Sequence, residues 1–239
     1  MSINPWDIAL VLVVTLQATA LAYISSPRWK AIFLMLPLPF TTIVLSLGRP
    51  LDASNLLSMV VLLVYTLSVR TLYQYIPIVP SIALSVCLYA ILGSLLASNV
   101  PTTDIAFWIS AGIIFMLGIL LLKVVPFPNG PNHRTPLSIW QKLPAILLVV
   151  IIIVAIKNSL QGFASLFPLL GTVGAYEVRH NLWLLVRSAP ALMCALTPMV
   201  IVTRLTQDQM GLGFALFLGW MIYIPVLILV NRQPKSSAS

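Results

Sequence analysis

Charged residues are scarce in this chain, and acidic residues are the scarcest of them. Only 8% of the 239 residues are charged, with five acidic residues against 13 lysines and arginines, whereas 60% are hydrophobic. A soluble domain is about 25% charged, and a soluble fold of this size has too little interior to bury so much apolar surface. We therefore expect lipid to be the solvent of this chain.

Residues that commonly carry catalysis or bind metals are also few. The two cysteines and two histidines have no metal-ligand spacing, and no HExxH, CxxC or GxSxG pattern occurs. All acidic residues fall at the ends of apolar runs or between them, which argues against a carboxylate relay at membrane depth; they are Asp7, Asp52, Asp104, Glu177 and Asp208. We expect no enzyme activity, catalytic residue, metal or cofactor.

Apolar runs of membrane-spanning length fill most of the chain. A run of about 17–25 apolar residues crosses the roughly 30 Å hydrocarbon layer as a helix, and the lack of alternation argues against a barrel. The sequence predicts an all-α, polytopic membrane protein with about nine transmembrane helices, at 7–24, 31–47, 56–73, 78–98, 105–124, 138–156, 161–177, 182–203 and 209–230. The sixth and seventh runs are the least regular, and a re-entrant pair is the alternative there.

The basic residues divide unequally between the two sides that nine spans would create. One side holds Arg28, Lys30, Arg70, Lys123, Arg134, Lys142, Arg179, Arg187, Arg232 and Lys235, and the other holds Arg49, Lys157 and Arg204. By the positive-inside rule, the C-terminus and the loop 125–141 are cytoplasmic and the N-terminus is outside. We expect a bacterial-type inner membrane. Because the basic residues are scattered singly, a nucleic-acid partner is not expected.

The two halves of the chain share a weak internal similarity at an offset of about 131–136 residues. The pairs that carry it are Trp6 with Trp140, Pro37 with Pro168, Arg70 with Arg204, and Tyr89 with Tyr223. The predicted division is a four-helix repeat over 1–104, a linker helix and cytoplasmic loop over 105–137, a second four-helix repeat over 138–231, and a disordered tail over 232–239. Five spans separate the repeat starts, so the repeats form a 4+1+4 inverted arrangement. Chance similarity between apolar segments is the alternative.

Two apolar runs are interrupted at corresponding places, and they supply the candidate site. The stretch 31–49 contains Pro37, Thr41 and Thr42, and the stretch 162–180 contains Pro168, Gly171 and Thr172. A proline removes a backbone donor and frees a carbonyl, which at membrane depth must bind a neighbouring helix, water or a ligand. We predict that these six residues bind substrate between the second and seventh helices. A packing kink is the alternative.

Four charged residues near run ends are the remaining candidates. Arg187 lies inside the eighth run, where an arginine is costly unless paired or hydrated, and we predict that it contacts an anionic head group or substrate. Its alternatives are snorkelling or an ion pair with Glu177. We predict gating or anchoring roles for Arg70, Glu177 and Arg204; the alternatives are a solvated turn at 177–180 and ordinary helix-end cations.

The second half also carries a short sequence signature. It consists of Leu-Phe-Pro at 166–168, Ala-Tyr at 175–176 and a later proline, Pro198. Residues 155–230 thereby resemble the small GlpM-type inner-membrane proteins, whose name is linked to alginate production. The resemblance implies an integral inner-membrane protein tied to envelope material, built here as two fused units. The first half departs from the pattern, with Leu-Pro-Leu-Pro at 36–39.

These observations predict a transporter or flippase for a small or amphiphilic solute, with anionic solutes among the candidates. The alternative is a non-transporting scaffold or an accessory subunit of an envelope-assembly complex. The expected partners are the lipid bilayer, a small-molecule or lipid-linked substrate, and either a second copy of the chain or an envelope-complex protein. A polar, hydrated cavity between the broken runs would favour transport, whereas a bundle sealed by Leu and Val would favour the scaffold.

Overall fold

The computed structural model describes residues 5–24, 26–126 and 139–231, and those residues form helices without any strand. The elements are α1 (Pro5–Tyr23), α2 (Pro27–Met35), α3 (Leu38–Leu47), α4 (Ala53–Leu72), α5 (Ile78–Ala97), α6 (Asp104–Val124), α7 (Ile139–Leu160), a 3₁₀ helix (Gln161–Leu166), α8 (Leu169–Glu177), α9 (Trp183–Met210) and α10 (Leu212–Val230). The all-α prediction is confirmed. The tail 232–239 and most of the loop 125–141 lie outside the described residues.

Seven helices in the described ranges, rather than the nine expected, are long and apolar enough to cross a membrane by length and composition. The first run gives only a shorter apolar helix, Pro5–Leu21. The sixth and seventh runs differ most, because the candidate span Leu147–Leu166 joins the end of α7 to the 3₁₀ helix and leaves α8 with nine residues. Pro168 and the positive φ of Gln161 interrupt this part of the chain. Seven such helices fit a multi-pass membrane protein.

Local sequence explains where several helices begin and end. The Asp52 carboxylate accepts a hydrogen bond from the Ser54 amide, and the Asn55 side chain accepts one from the Asp52 amide. This reciprocal capping box starts α4. Gly48, in the left-handed conformation, ends α3 and turns the chain towards that cap.

Helix α9 occupies the centre of the bundle, and α5, α6 and α10 form much of its outer surface. Within the stretches that could span a membrane, 78% of the residues of α9 are buried, against 22% of those of α6. Helix α9 packs against α4, α6 and α10. The outer face of α6 exposes Ile109, Ile113, Met116 and Leu120. An apolar surface of this kind is unusual on a soluble monomer and is suited to lipid.

The 3₁₀ helix approaches the start of α4 closely enough to require a glycine. A Cβ built on Gly162 would overlap the Ser54 hydroxyl and lie 2.9 Å from the Asn55 backbone nitrogen. The Asn55 amide also donates to the Gly162 carbonyl at 3.4 Å and to the Ser165 hydroxyl at 3.2 Å. A side chain at Gly162 would therefore push the 3₁₀ helix away from α4.

We expect Gly162→Ala to lower the free energy of unfolding by about 1–3 kcal/mol, the usual cost of overpacking. The matched control is Gly112→Ala on α6, where an added Cβ has no neighbour within 4 Å. That change should be neutral or slightly stabilising because alanine is the better helix former. Denaturant unfolding in detergent would measure both, and equal stabilities of the two variants would contradict the close approach.

Candidate functional site

The chain breaks twice at a proline, with similar backbone geometry each time. Before α3, Leu36 is extended (φ −64°, ψ 121°) and Pro37 follows with φ −83° and ψ 34°. Before α8, Phe167 is extended (φ −51°, ψ 133°) and Pro168 follows with φ −74° and ψ 52°. A residue that precedes proline is sterically pushed out of the helical region. Each proline thus separates two short helical segments within one apolar run.

The carbonyls freed at the first break are held by side chains from other helices. The Gln17 amide of α1 donates to the Phe33 carbonyl at 2.7 Å and to the Leu36 carbonyl at 3.2 Å. The Tyr223 hydroxyl of α10 donates to the Met35 carbonyl. Phe33 and Met35 stand four residues before Pro37 and Pro39, so these are the acceptors that lose their helical donors.

A tyrosine also supports the segment before the second break. The fully buried Tyr89 hydroxyl of α5 donates to the Phe163 carbonyl of the 3₁₀ helix at 2.8 Å. The Tyr89 ring meets the Phe167 ring edge to face, with centroids 5.4 Å apart. The Ala164 carbonyl, four residues before Pro168, accepts the Phe167 amide at 3.0 Å. Both breaks therefore depend on a tyrosine from a distant helix.

A cavity lies between the two breaks. Its empty volume is about 560 Å³, counting its open mouth, and both Pro37 and Pro168 line it. The lining is mostly apolar; besides the two prolines it includes Leu34, Met35, Phe40, Leu62, Tyr65, Leu166, Phe167, Gly171, Leu185 and Leu192. A cavity therefore lies between the two breaks, where a transport site was expected. Its lining, however, is chiefly apolar rather than polar.

The structure brings three of the predicted substrate residues to this cavity. Pro37, Pro168 and Gly171 line it. The predicted threonines instead bond to their own helices: Thr41 donates to the Pro37 carbonyl at 2.9 Å and Thr172 to the Leu169 carbonyl at 2.7 Å. Thr42 likewise donates to the Leu38 carbonyl at 3.0 Å. These hydroxyls satisfy carbonyls near the breaks, as expected where proline has removed backbone donors.

Three polar side chains are buried together at one end of the bundle. Lys157, at the end of α7, contacts the Asp7 carboxylate at the start of α1 and the Ser46 hydroxyl of α3. The Ser46 hydroxyl also donates to Asp7. Asp7 is 3% exposed and Lys157 is 7% exposed, so the pair is desolvated. We call this end, which also holds Leu51 and Gln207, the Asp7 end.

A second buried ion pair lies at the opposite end, which we call the Glu177 end. Lys30 of α2 and Glu177 of α8 approach to 3.8 Å, and both side chains are almost fully buried. The alternative interpretation of Glu177 as part of a solvated turn is therefore wrong. Glu177 ends α8 with its side chain turned into the protein against α2, because a lysine there compensates its charge.

Arg187 is not among the residues that line the cavity. Its guanidinium donates to the Val125 carbonyl at 2.5 Å and to the Leu122 carbonyl at 3.3 Å. These carbonyls belong to the C-terminal end of α6, where a cation is favoured by the helix dipole. Arg187 thus fixes the end of α6 against α9.

The two predicted gating arginines each join α9 to a neighbouring element. The Arg70 guanidinium of α4 stacks 3.8 Å from the centroid of the Trp183 ring at the start of α9. At the Asp7 end, Arg204 of α9 donates to the Leu51 carbonyl at 3.1 Å and pairs with Asp104 at 2.8 Å. Asp104 is largely exposed, so this ion pair contributes little stability.

Sequence reasoning missed three groups that the structure makes prominent. Gln17 was a detectable signal, since a lone amide within an apolar run must find a hydrogen-bond partner. Tyr65 gave no signal, because an aromatic residue in a spanning helix is common. The pairing of Asp7 with Lys157 was hidden by a sequence separation of 150 residues and by their positions at run ends.

The described residues hold no group of three or more histidine, cysteine, aspartate or glutamate side chains arranged to bind a metal ion. No family model, curated protein or solved structure matches the chain, so the GlpM-type resemblance stays a prediction. The fold and the site together define an all-helical chain that fits a multi-pass membrane protein and has a cavity between two proline breaks.

We expect Lys157→Met to lower the free energy of unfolding by about 3–5 kcal/mol, because it removes the lysine charge that compensates the buried Asp7 carboxylate. The double variant Asp7→Asn with Lys157→Met should recover most of that loss. Lys123→Met, at an exposed lysine in the last turn of α6, is the control and should change stability little. Thermal unfolding in detergent would measure all three, and a Lys157→Met variant as stable as the control would contradict a buried pair.

Proposed function

We propose that the chain is a membrane transporter or flippase that moves a small or amphiphilic solute through the cavity between its two broken segments. The observation that carries this proposal is the joint lining of one cavity by Pro37 and Pro168. Discontinuous helices that meet near the membrane midplane are a recurrent way to build a transport site, because the break leaves backbone groups and helix ends beside the solute.

Contacts at the two ends support nine crossings. The 3₁₀ helix follows Lys157 at the Asp7 end, and α8 finishes with Glu177 at the other end. At about 2.0 Å per residue for a 3₁₀ helix and 1.5 Å for an α-helix, this segment covers nearly the hydrocarbon thickness. Helix α1 likewise carries Asp7 in its first turn and leads to α2, which carries Lys30. Each of these two segments crosses the membrane in this proposal, although neither α1 nor α8 is among the seven helices that are long and apolar enough by themselves.

Paired contacts support the inverted repeat. The segment α2–α3 runs from the Glu177 end to the Asp7 end, and the segment containing α8 runs the other way. Tyr89 donates to the Phe163 carbonyl of the second broken segment, and Tyr223 donates to the Met35 carbonyl of the first. Each tyrosine thereby holds the break of the opposite half. This reciprocal exchange is the relation expected of a two-fold axis in the membrane plane.

Buried ion pairs at both ends suit a solute site that opens to one side at a time. The Asp7–Lys157 pair closes one end and the Lys30–Glu177 pair closes the other. A buried pair is costly to separate, so each pair holds its end closed, and opening that end as a gate would require the pair to break. Glu177 thus keeps its predicted gating role, whereas Arg70, Arg187 and Arg204 anchor helix ends.

The apolar lining of the cavity favours a second candidate, a membrane scaffold or accessory subunit of an envelope-assembly complex. In this alternative the two breaks are packing features and α6 offers its exposed apolar face to a partner. For either function we propose a bacterial inner membrane with the Glu177 end cytoplasmic. The excess of basic residues on that side supports this orientation.

Nine crossings predict that Asn158 and His180, both exposed, lie on opposite sides of the membrane. Single cysteines at each position, in a Cys87→Ala, Cys194→Ala background, should react from opposite sides with a membrane-impermeant maleimide. Asp208→Cys is the control expected on the Asn158 side, and Tyr75→Cys is the control expected on the His180 side. Labelling of Asn158→Cys and His180→Cys from one side would mean a re-entrant segment.

The transport proposal predicts flux in proteoliposomes above that of protein-free liposomes. Lipid flipping would be followed by dithionite quenching of NBD-phosphatidylethanolamine, and solute passage by stopped-flow light scattering with glycerol. Gly171→Leu should lower whichever of these two fluxes the wild-type protein shows at least tenfold. The reason is that an added Cβ already lies 3.0 Å from the Tyr65 ring, so a leucine side chain would fill the cavity. Gly112→Leu, on the exposed face of α6, should leave the flux unchanged.

Pro168→Ala provides a second variant in case Gly171→Leu does not fold. It restores a backbone donor at the break and should also reduce the flux. Absence of both lipid flipping and glycerol passage would favour the scaffold. Equal flux in Gly171→Leu and Gly112→Leu would remove the cavity as the route.

A further inference from the structure

Four residues with hydroxyl groups line the cavity, and three of those hydroxyls already donate hydrogen bonds to backbone carbonyls. Thr66 donates to the Leu63 carbonyl at 2.9 Å, Ser165 to the Gly162 carbonyl at 2.6 Å, and Ser188 to the Leu185 carbonyl at 2.6 Å. Each of these bonds stays within the local helical segment. A ligand in the cavity would therefore have to compete with the backbone for these protons.

The fourth residue, Tyr65, is different. Its side chain on α4 is fully buried and lines the cavity. Its hydroxyl has no hydrogen-bond partner within the described part of the chain. An unsatisfied buried hydroxyl is destabilising, and a protein rarely keeps one without a reason. The Tyr65 hydroxyl is the one uncommitted donor among these four hydroxyls.

The cavity also lies at the N-terminal ends of two helices. Helix α3 begins at Leu38 and α8 begins at Leu169, each directly after its proline break. The N-terminal end of a helix carries a partial positive charge. Together with the Tyr65 donor, these two helix ends favour an electronegative acceptor atom in the ligand over a donor.

The charged side chains lie where they cannot compensate the charge of a ligand in the cavity. No lysine, arginine, histidine, aspartate or glutamate of the described ranges lines the cavity. The buried charges pair with one another at the two ends, and Arg187 is bonded to carbonyls of α6. An anion would leave water without a compensating cation, which is far more costly than burying a neutral polar group.

We infer that the cavity takes a neutral, mainly apolar solute with one hydrogen-bond acceptor, which receives the Tyr65 hydroxyl proton. This inference rests on the proposed function of the cavity as a solute site, and it narrows the solute class. It departs from the anionic solute that the position of Arg187 had suggested. The apolar lining buries the body of the solute, and Tyr65 fixes its orientation.

Three probes of similar size and different polarity test this inference. Cyclohexanone supplies an acceptor oxygen, methylenecyclohexane has nearly the same shape without one, and cyclohexanecarboxylate carries a full negative charge. Binding would be titrated by saturation-transfer NMR on the protein in nanodiscs, with empty nanodiscs measured alongside to subtract partitioning into lipid. The wild-type protein should bind cyclohexanone more tightly than methylenecyclohexane and should show no saturable binding of cyclohexanecarboxylate.

The key variant is Tyr65→Phe, which removes the hydroxyl and keeps the ring. It should raise the Kd of cyclohexanone about five- to tenfold, the effect of one neutral hydrogen bond, and leave the Kd of methylenecyclohexane unchanged. Its thermal stability without ligand should equal or exceed that of the wild type, because no hydrogen bond within the described part of the protein is lost. Tyr89→Phe is the control: it should lower stability, because Tyr89 supports the Phe163 carbonyl, and keep the ratio of the two affinities.

The inference is overturned if cyclohexanone fails to bind, if cyclohexanecarboxylate binds as tightly, or if Tyr65→Phe retains the preference for cyclohexanone. These binding outcomes are separate from the flux measurements. Flux with an unchanged preference in Tyr65→Phe would leave the transport function standing without this solute class. Selective binding through Tyr65 without flux of any probe would keep the site and remove transport.

Discussion

A proline break inside an apolar bundle leaves backbone carbonyls that no water can satisfy, and this constraint organises the structure. At the first break, Gln17 and Tyr223 donate hydrogen bonds to these carbonyls. At the second break, Tyr89 and a local turn do so. Since an unpaired carbonyl in hydrocarbon costs several kcal/mol, these side chains determine how α1, α5 and α10 pack against the broken segments. The cavity forms in the space that remains between the two breaks.

The same solvent argument explains the distribution of charge. Buried charges are tolerated only in compensated pairs, and the two buried pairs stand at the ends of the bundle, where the helices begin and finish. The middle holds only neutral groups among the cavity-lining residues of the described chain. The bundle thus combines charged, paired groups at its ends with an apolar centre.

The sequence was most informative where a single residue dictates the backbone. Pro37 and Pro168 were predicted to break their runs, and both do so with nearly the same dihedral angles. Apolar run length predicted the helices, but it did not reveal that the part of the run before Pro168 forms a 3₁₀ helix, which begins at the positive φ of Gln161. Pairings such as Asp7 with Lys157 depend on tertiary packing, which a one-dimensional charge pattern does not encode. The Tyr65 hydroxyl, which has no hydrogen-bond partner among the described residues, was equally hidden, since neighbours such as Gly171 are distant in sequence.

The hydrogen bond between Tyr223 and Met35 has a consequence for how the protein is made. The acceptor lies in α2 and the donor in α10, 188 residues later in the chain. The Met35 carbonyl is therefore synthesised well before its tyrosine donor. The second break has the opposite order, because Tyr89 precedes Phe163 in the chain. Two breaks of similar geometry thus differ in timing: the tyrosine that supports the later break is made before it, and the tyrosine that supports the earlier break is made after it.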